Sequence, residues 1–365
     1  MVALSSLPGV GPSRLRWLLK QGEPEAVWHQ VRSGLLRAVA HDESVRIPLA
    51  ILQQWSDAAN SVDLATYWNA HVEAGVGVMT RWSASFPREL ADDDDAPVVL
   101  FWLGDIDLLA GTRVAIVGTR RATRYGIDVA NGFARELSLA GISVVSGLAL
   151  GIDGAAHAGA LAVDGAPPIA VVGSGLDRIY PRAHRALWRA VAERGVVLSE
   201  YPLGAPAVAW QFPARNRIIA ALSDAVVVVE SQSTGGALGT AVEAARRGRT
   251  VLAVPGPVTA PSSAGTNQLL FDGCGPARDI GDVLLALGRE PERRRTAAEQ
   301  RPRPIGQAKK ALDSLPWQAV PVEHVLVSTG LSLGEAMLVL EQLESDGWVS
   351  LRAGWIERIG RGGAQ

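Results

Sequence analysis

VAIVGTRRATRYG, residues 114 to 126, is the stretch whose reading decides the fold. Val114 to Val117 form a short apolar, β-branched run bounded by a glycine, the pattern of a strand buried on both faces. Gly118 and Thr119 then make the tight turn that carries backbone N–H groups to the N-terminus of a following helix, an anion site by construction. Arg120, Arg121 and Arg124 bring more charge than a single metabolite phosphate needs. The expected ligand is a nucleic-acid backbone.

From residue 113 onward such runs recur: VAIV (114–117), ISVV (142–145), IAVV (169–172), VVL (196–198), AVVVVE (225–230) and TVLAV (250–254). Stretches of about 15 to 25 residues with helical patterning separate them, so the economical architecture is a parallel sheet covered on both faces. Ligands of such α/β folds sit at the carboxyl ends of the strands. Those ends are rich in glycine and hydroxyl residues: SGLALGIDGAAHAGAL (146–161), GSGLDRIYPRAHRAL (173–187) and ESQSTGGALGTAVEAA (230–245). Several loops can therefore bring N–H donors to one crevice.

Two nucleotide-binding classes are excluded by their missing fingerprints. No G-x-G-x-x-G follows the first strand, and Ser146 and Gly147 end the second where an acid would hold ribose hydroxyls. No G-x-x-x-x-G-K-[ST] occurs either. GGALGTAVE (235–243) resembles the PGGxGTxxE loop of nucleotide phosphoribohydrolases related to lysine-decarboxylase-like proteins, with Glu243 in the place of the catalytic acid. Thr234 replaces its proline and one residue is inserted between the glycines, which points to a shared nucleotide-binding loop more than to shared catalysis.

The chain has 365 residues, 48% of them apolar, enough for two or three domains and a sizeable core. Cys274 is its one cysteine, which excludes an internal disulfide and a thiolate metal cluster and reads as a packing residue. No apolar run reaches the roughly 18 residues of a membrane span, and the start lacks a signal peptide's order, so no membrane association and a cytoplasmic location are expected. The net charge of -2 conceals an asymmetry: about 8 basic against 12 acidic residues over 1–96, and about 12 against 8 over 111–225.

Residues 1–66 read as a helical domain, in which the turn LPGVG (7–11) before PSRLRWLLK resembles a helix-hairpin-helix; packing or partner docking is the competing reading. VGVMTRW (76–82) and PVVLFWLG (97–104) read as strands, separated by ADDDDAP as a solvated loop. In FPARNR (212–217), Pro213 opens a helix at its first turn. Arg215, Asn216 and Arg217 then lie at its positive end, against the macrodipole. Either an anionic ligand or acids elsewhere in the fold relieve that conflict. Asp153 and His157, four apart on one helix face, read as a cap and a structural hydrogen bond; no further ligands complete a metal site.

VAIVGTR, SGLALGIDGAAHAGAL, GLDRIYPRAH, SEYPLG, FPARNRIIAALSDAVVVVE and TVLAVPGPV followed by GTNQLL resemble, in order and spacing over about residues 80–280, the DNA-processing protein A (DprA, or Smf) family. The resemblance implies an α/β extended Rossmann-like parallel sheet core over 67–288, with an N-terminal SAM-like helical domain over 1–66 and a C-terminal winged-helix-like domain over 307–360, joined by a linker at 289–306. It implies a cytoplasmic, homodimeric, single-stranded DNA binder, without catalysis, cofactor or metal, that protects incoming DNA in natural transformation and helps load the RecA recombinase. A phosphoribohydrolase-like enzyme using Glu243 and a free-nucleotide sensor are the alternatives.

On that reading, Gly118, Thr119, Arg120 and Arg121 hold phosphate by N–H groups and guanidinium forks, with Arg124 beside them. Ser146, Gly147, Gly173, Ser174 and Gly175 line the same crevice, and Arg178, Arg182, Arg215 and Arg217 extend the positive track. Asn216 reaches a base edge or a phosphate. Tyr180 either stacks on a base or packs beside Pro181. In the tail, GWVSLRAGWIERIG (347–360) reads as two strands around Ala353 and Gly354. The preceding helix, SLGEAMLVLEQLESD (332–346), carries Glu335, Glu341, Glu344 and Asp346 and no base. A phosphate-lined groove disfavours that surface, so protein docking or a weak duplex contact through Arg352 and the linker is expected instead of sequence-specific reading.

Overall fold

A computed structural model of the chain describes residues 1–38, 47–290, 302–352 and 354–359. Five helices come first: α1 (Val2–Ser5), α2 (Pro12–Lys20), α3 (Pro24–Ser33), α4 (Leu49–Ser61) and α5 (Leu64–Glu73). Asp63 caps α5 by accepting from Ala65 N and Thr66 N, and the helix runs to Glu73, so position 66 falls inside it. Leu7, Leu15, Trp17, Leu18, Val27 and Trp55 bury the shared side of these helices. That core is continuous with Val99 and Phe101 of the sheet and with Trp188 and Val191 on its covering helix. Residues 1–290 consequently form one compact unit, and 291–365 a second.

The sheet of the first unit has nine strands: β1 (Gly77–Thr80), β2 (Val99–Gly104), β3 (Arg113–Val117), β4 (Ser143–Ser146), β5 (Ile169–Val172), β6 (Val196–Ser199), β7 (Ala225–Val228), β8 (Thr250–Ala253) and β9 (Gly275–Pro276), in the order β1-β2-β6-β5-β4-β3-β7-β8-β9. All six expected parallel strands are present as β3 to β8, paired in parallel register. The two earlier expected strands, β1 and β2, add an antiparallel edge through Phe101 opposite Ser199. The chain leaves β3 toward β4, β5 and β6, then returns to β7 on the other side of β3. The topological switch therefore lies between β3 and β7, where α/β proteins open a crevice.

Alternation within β3 divides the two faces. Val114 and Ile116 pack under α7 (Arg124–Leu139, after the short α6, Arg88–Ala91) and α8 (Ile152–Leu161). Ala115 and Val117 pack under α10 (Gln211–Leu222) and α11 (Gly236–Arg246); α9 (Arg185–Arg194) precedes them, and α12 (Ala264–Phe271) and α13 (Ile280–Ala286) complete the cover.

The aspartate run departs from the solvated loop expected of it. Asp93 Oδ2 lies 2.7 Å from Arg247 Nε, Asp95 Oδ1 3.3 Å from Arg16 Nη2, and the Asp95 carbonyl accepts from Arg217 Nε at 2.9 Å. Arginines arriving from three elements turn the loop into a clasp.

The second unit contains α14 (Gly306–Ser314), β10 (Val320–Pro321), α15 (Val322–Thr329), α16 (Leu333–Ser345) and the hairpin β11 (Val349–Arg352) with β12 (Trp355–Arg358). α15 and α16 meet at 113°. Ser332 and Glu335 form a reciprocal capping box at the start of α16. The expected linker at 289–306 falls mostly on residues outside those described. Among the described residues no single helix is long and apolar enough to cross a membrane.

Candidate nucleic-acid interface

The turn after β3 is held by contact too close for any side chain at Gly118. A Cβ there would lie 2.5 Å from Ile152 Cγ1 and 2.9 Å from the Glu230 carbonyl. Thr119 N donates to that carbonyl at 2.8 Å. At the start of α7, Thr123 caps the helix through Gly126 N, and it also meets the Glu230 carboxylate: its N–H donates to Oε2 at 2.9 Å and its hydroxyl to Oε1 at 2.5 Å. Glu230 is buried, and Gly126 leaves room for its carboxylate.

The anion at this helix N-terminus is thus the chain's own. The expectation that Thr119 offers its N–H to a ligand is corrected: that donor is already used, and Glu230 fills the place at the switch where a nucleotide phosphate sits in related folds. Arg120, Arg121 and Arg124 remain exposed at the rim. Arg124 Nε pairs with Asp128 Oδ2 at 2.8 Å.

FPARNR is also placed differently from the first-turn arrangement expected of it. α10 begins at Gln211, so Pro213 is its third residue, and Arg215 and Arg217 lie in its second turn. Arg215 is 4% exposed; its Nη1 donates to Val171 O and its Nη2 to Gly147 O, each at 3.1 Å, with Asp153 Oδ2 at 3.6 Å. A Cβ on Gly147 would overlap this guanidinium. Arg217 pairs with Glu200 at 2.7 Å and donates to the carbonyls of Asp95 and Ala214. Of the two ways of relieving the macrodipole conflict, the fold uses its own acids and strand-end carbonyls. Neither arginine extends an exposed track, which corrects that expectation.

Ser146, Gly147, Gly173, Ser174 and Gly175 are likewise buried. Ser146 Oγ donates to Ile116 O at 2.6 Å, and Ser174 Oγ to Arg178 O at 2.8 Å. They form the floor of the crevice, with their hydroxyls turned to backbone. Asn216 Nδ2 donates to Gly236 O at 3.2 Å, leaving that side chain half-buried at the side.

Beneath the floor lie Asp153 and His157, both fully enclosed on α8. Burial pushes the Asp153 carboxyl up, opposed by Arg215 and by backbone N–H groups. Burial, with smaller contributions from Arg215 and His184 against an opposing one from the Ser146 backbone, holds the His157 imidazole down at about 3. Asp153 accepts from Ala149 N at 3.4 Å, whereas neither ring nitrogen of His157 has a hydrogen-bond partner of normal geometry among the described residues, so the structural hydrogen bond expected of the pair is met by Asp153 alone.

Three side chains converge above the floor. The Arg120 guanidinium carbon stands 5.1 Å from the Phe212 ring centroid, and Tyr180 meets the same ring at 5.2 Å between centroids. Tyr180 is 46% exposed, so it packs on Phe212 and still offers surface to solvent. Arg178 and Arg182 are exposed on the neighbouring loop, Arg178 beside Asp177 at 3.3 Å. Phe212 and Glu230 are the residues that sequence reasoning missed. An aromatic directly before Pro213 was the available signal for the first; the partners of Glu230 lie 107 residues away, and no local pattern announces them.

Glu243 sits in α11, within a turn of Arg246 and Arg247, which line a charged pocket with Arg88, Glu89, Asp92–Asp95 and Arg249. Its carboxylate is paired with Arg246 and Arg247.

Fold and site together define a Rossmann-like α/β protein whose switch-point phosphate position is closed from within and whose strand-end rim is cationic and aromatic. The family described as DNA recombination-mediator protein A matches residues 77–288. The chain is 35% identical over 287 residues to protein Smf of Escherichia coli K12, which covers 76% of each. Among solved structures, DNA processing protein A of Streptococcus pneumoniae superposes with a TM-score of 0.63 at 32% identity, over 77% of this chain and 95% of that one. DNA processing protein A of Helicobacter pylori, described with a unique single-stranded DNA binding mode, gives 0.53 at 31% identity, over 58% and 95%. The chain belongs to the DNA recombination-mediator protein A family, and is a DNA-processing protein.

Proposed function

We propose that the chain binds single-stranded DNA across the rim of this crevice and acts as a recombination mediator without catalysis of its own. The observation that carries the reading is the Arg120–Phe212–Tyr180 cluster, with Arg120 and Tyr180 exposed on a half-buried Phe212, flanked by Arg121, Arg178 and Arg182. Single-strand binders need a positive track for phosphates and aromatic faces for bases of any sequence. Arg120 supplies the charge, with N–H donors suited to phosphate, while Tyr180, packed on Phe212 and 46% exposed, supplies the aromatic surface. Gly118, Thr119, Ser146, Gly147, Gly173, Ser174 and Gly175 act mainly by letting loops approach closely, and Arg215 and Arg217 by fixing α10 against the strand ends.

The competing readings lose their residues. A free-nucleotide sensor needs the α7 N-terminus, which Glu230 fills. N-glycosidic hydrolysis needs a free Glu243 carboxylate at the strand ends, and that carboxylate is paired with Arg246 and Arg247. The family resemblance supports the wider role: a cytoplasmic homodimer that protects incoming DNA in natural transformation and hands it to RecA. The α15–α16 pair and the β11–β12 hairpin support a winged-helix-like reading of residues 307–360. The exposed Leu338 and Glu341 on α16 suit protein docking better than a DNA groove.

Titration with oligo-dT, competed by thymidine monophosphate and by duplex DNA, tests the reading. Salt-sensitive binding to the oligomer that the mononucleotide fails to displace is expected. Displacement by the mononucleotide, or affinity indifferent to salt, would contradict it.

A further inference from the structure

The turn LPGVG and the start of α10 meet on the surface. Gly9, Gly11, Pro12, Ser13, Arg14 and Trp210 line a shallow groove of about 360 Å³. Gly9 takes a positive φ of 67°, which folds the turn back so that its carbonyl accepts from Arg14 Nη1 at 2.8 Å. Gly11 is fixed by its neighbour: a Cβ there would stand 2.9 Å from the Trp210 ring. On another side Tyr201 meets the same indole edge-on, 5.9 Å between centroids and 81° between planes. Trp210 is thereby pinned by a glycine and a ring, yet 48% of its surface is open.

Charge and continuity say what this groove suits. None of its lining residues is acidic, and Arg14 has no carboxylate partner among the described residues. Trp210 immediately precedes α10, and Phe212, two residues on, is the ring that carries Arg120 and Tyr180. One helix start therefore presents an aromatic to each place. An ordered indole beside an arginine that lacks an acid is the pairing that recognises a nucleotide, by stacking on the base and by charge on the phosphate.

We propose that the groove between Gly9–Arg14 and Trp210 is a second single-stranded DNA subsite, in which a strand leaving the crevice stacks a base on Trp210 and sets a phosphate by Arg14. The inference rests on the crevice itself being a single-strand site. It gives the helical N-terminal segment a direct part in binding, beyond packing on the sheet, and makes the occupied length of strand longer than the crevice alone accommodates.

The full-length protein is titrated with oligo-dT of about 6 and about 20 nucleotides, one within and one beyond the ~4–16 nucleotides of one binding module. Trp210→Ala is expected to weaken the long oligomer at least about fivefold, the lower end of the loss of one aromatic–base stack, and to leave the short one unchanged. Trp210→Phe restores most of the loss. Arg14→Ala, at a side chain outside the apolar core, lowers the salt slope for the long oligomer by about 0.7, one phosphate contact on a single strand. A photocross-link from 5-iodouracil in the long oligomer is expected at Trp210.

Wild-type affinity of both variants for the long oligomer would overturn the subsite. So would equal losses for both lengths, which would make Trp210 a support for α10 only, or binding of duplex alone in the groove. An Arg120→Ala, Arg121→Ala protein separates the two levels. If it weakens both lengths while the groove variants change neither, only the subsite falls; if it changes neither length, the crevice reading falls with it.

Discussion

Two sets of arginines stand at the same strand ends and do opposite things. Arg120 and Arg121 follow the glycine turn after β3, are exposed, and form no ion pair among the described residues, Arg120 acting on the buried Asp153 only at longer range. Arg215 and Arg217 come from α10, are buried, and meet Asp153, Glu200 and three backbone carbonyls at 3.1 Å or less outside their own helix turn. A guanidinium in the low-dielectric interior is tolerable only with its donors satisfied, whereas one at the rim keeps its hydration until a ligand replaces it. Residue type alone is therefore a poor guide to contact. What separates the sets is whether the fold itself supplies acceptors.

The sharpest way to break the comparison is to remove a buried member. Arg215→Ala takes the donor away from Val171 O and Gly147 O and leaves Asp153 buried without its partner. A loss of about 3–5 kcal/mol in chemical denaturation is expected, with Arg215→Lys recovering little, because an ammonium does not span two carbonyls. Gly147→Ala attacks the same arrangement from the other side and is expected to cost about 1–3 kcal/mol, since its new methyl would occupy the guanidinium's place.

Binding should respond to the rim and not to the floor. Phe212→Ala removes the ring shared by Arg120 and Tyr180, and is expected to weaken oligo-dT binding by about 1–3 kcal/mol in a fluorescence titration. Glu230→Ala, which uncovers the α7 N-terminus, is expected to cost about 1–3 kcal/mol of stability and to confer an inorganic-phosphate affinity that the wild type lacks, measured by calorimetry.

A smaller and more gradual effect concerns pH. The His157 imidazole is held at about 3 against an ordinary 6.5. Between those values the unfolded chain binds this proton and the folded chain does not, so the contribution is fully present above about 6.5 and declines as pH falls through the window. His157→Leu is expected to flatten the dependence of the denaturation midpoint on pH between about 6.5 and 4; an unchanged slope would mean that the imidazole is protonated in the fold.

Much of the architecture was legible because buried parallel strands leave an unmistakable trace: VAIV, IAVV and AVVVVE admit no amphipathic reading. The antiparallel join of Phe101 to Ser199 was not, since pairing across about a hundred residues leaves no local mark. α5 passed the expected limit at 66 because Leu64 to Glu73 continues a helix that no breaker stops until Gly75. At the site, the exposed arginines were readable from charge density beside a glycine turn. Glu230 was not: at the end of an apolar run it looks like a strand terminus, and only the fold brings it to Thr123. The start of α10 was misplaced for a related reason, because Pro213 is compatible with the first turn at more than one position.

The claim that the rim binds and the floor supports is tested most directly by the salt dependence of oligo-dT affinity for the Arg120→Ala, Arg121→Ala protein against wild type. With two phosphates of a single strand no longer neutralised, the slope of log affinity on log salt is expected to fall by about 1.4, at unchanged folding stability within about 0.5 kcal/mol. A wild-type slope in that protein, or a slope that falls only together with stability, would contradict the partition.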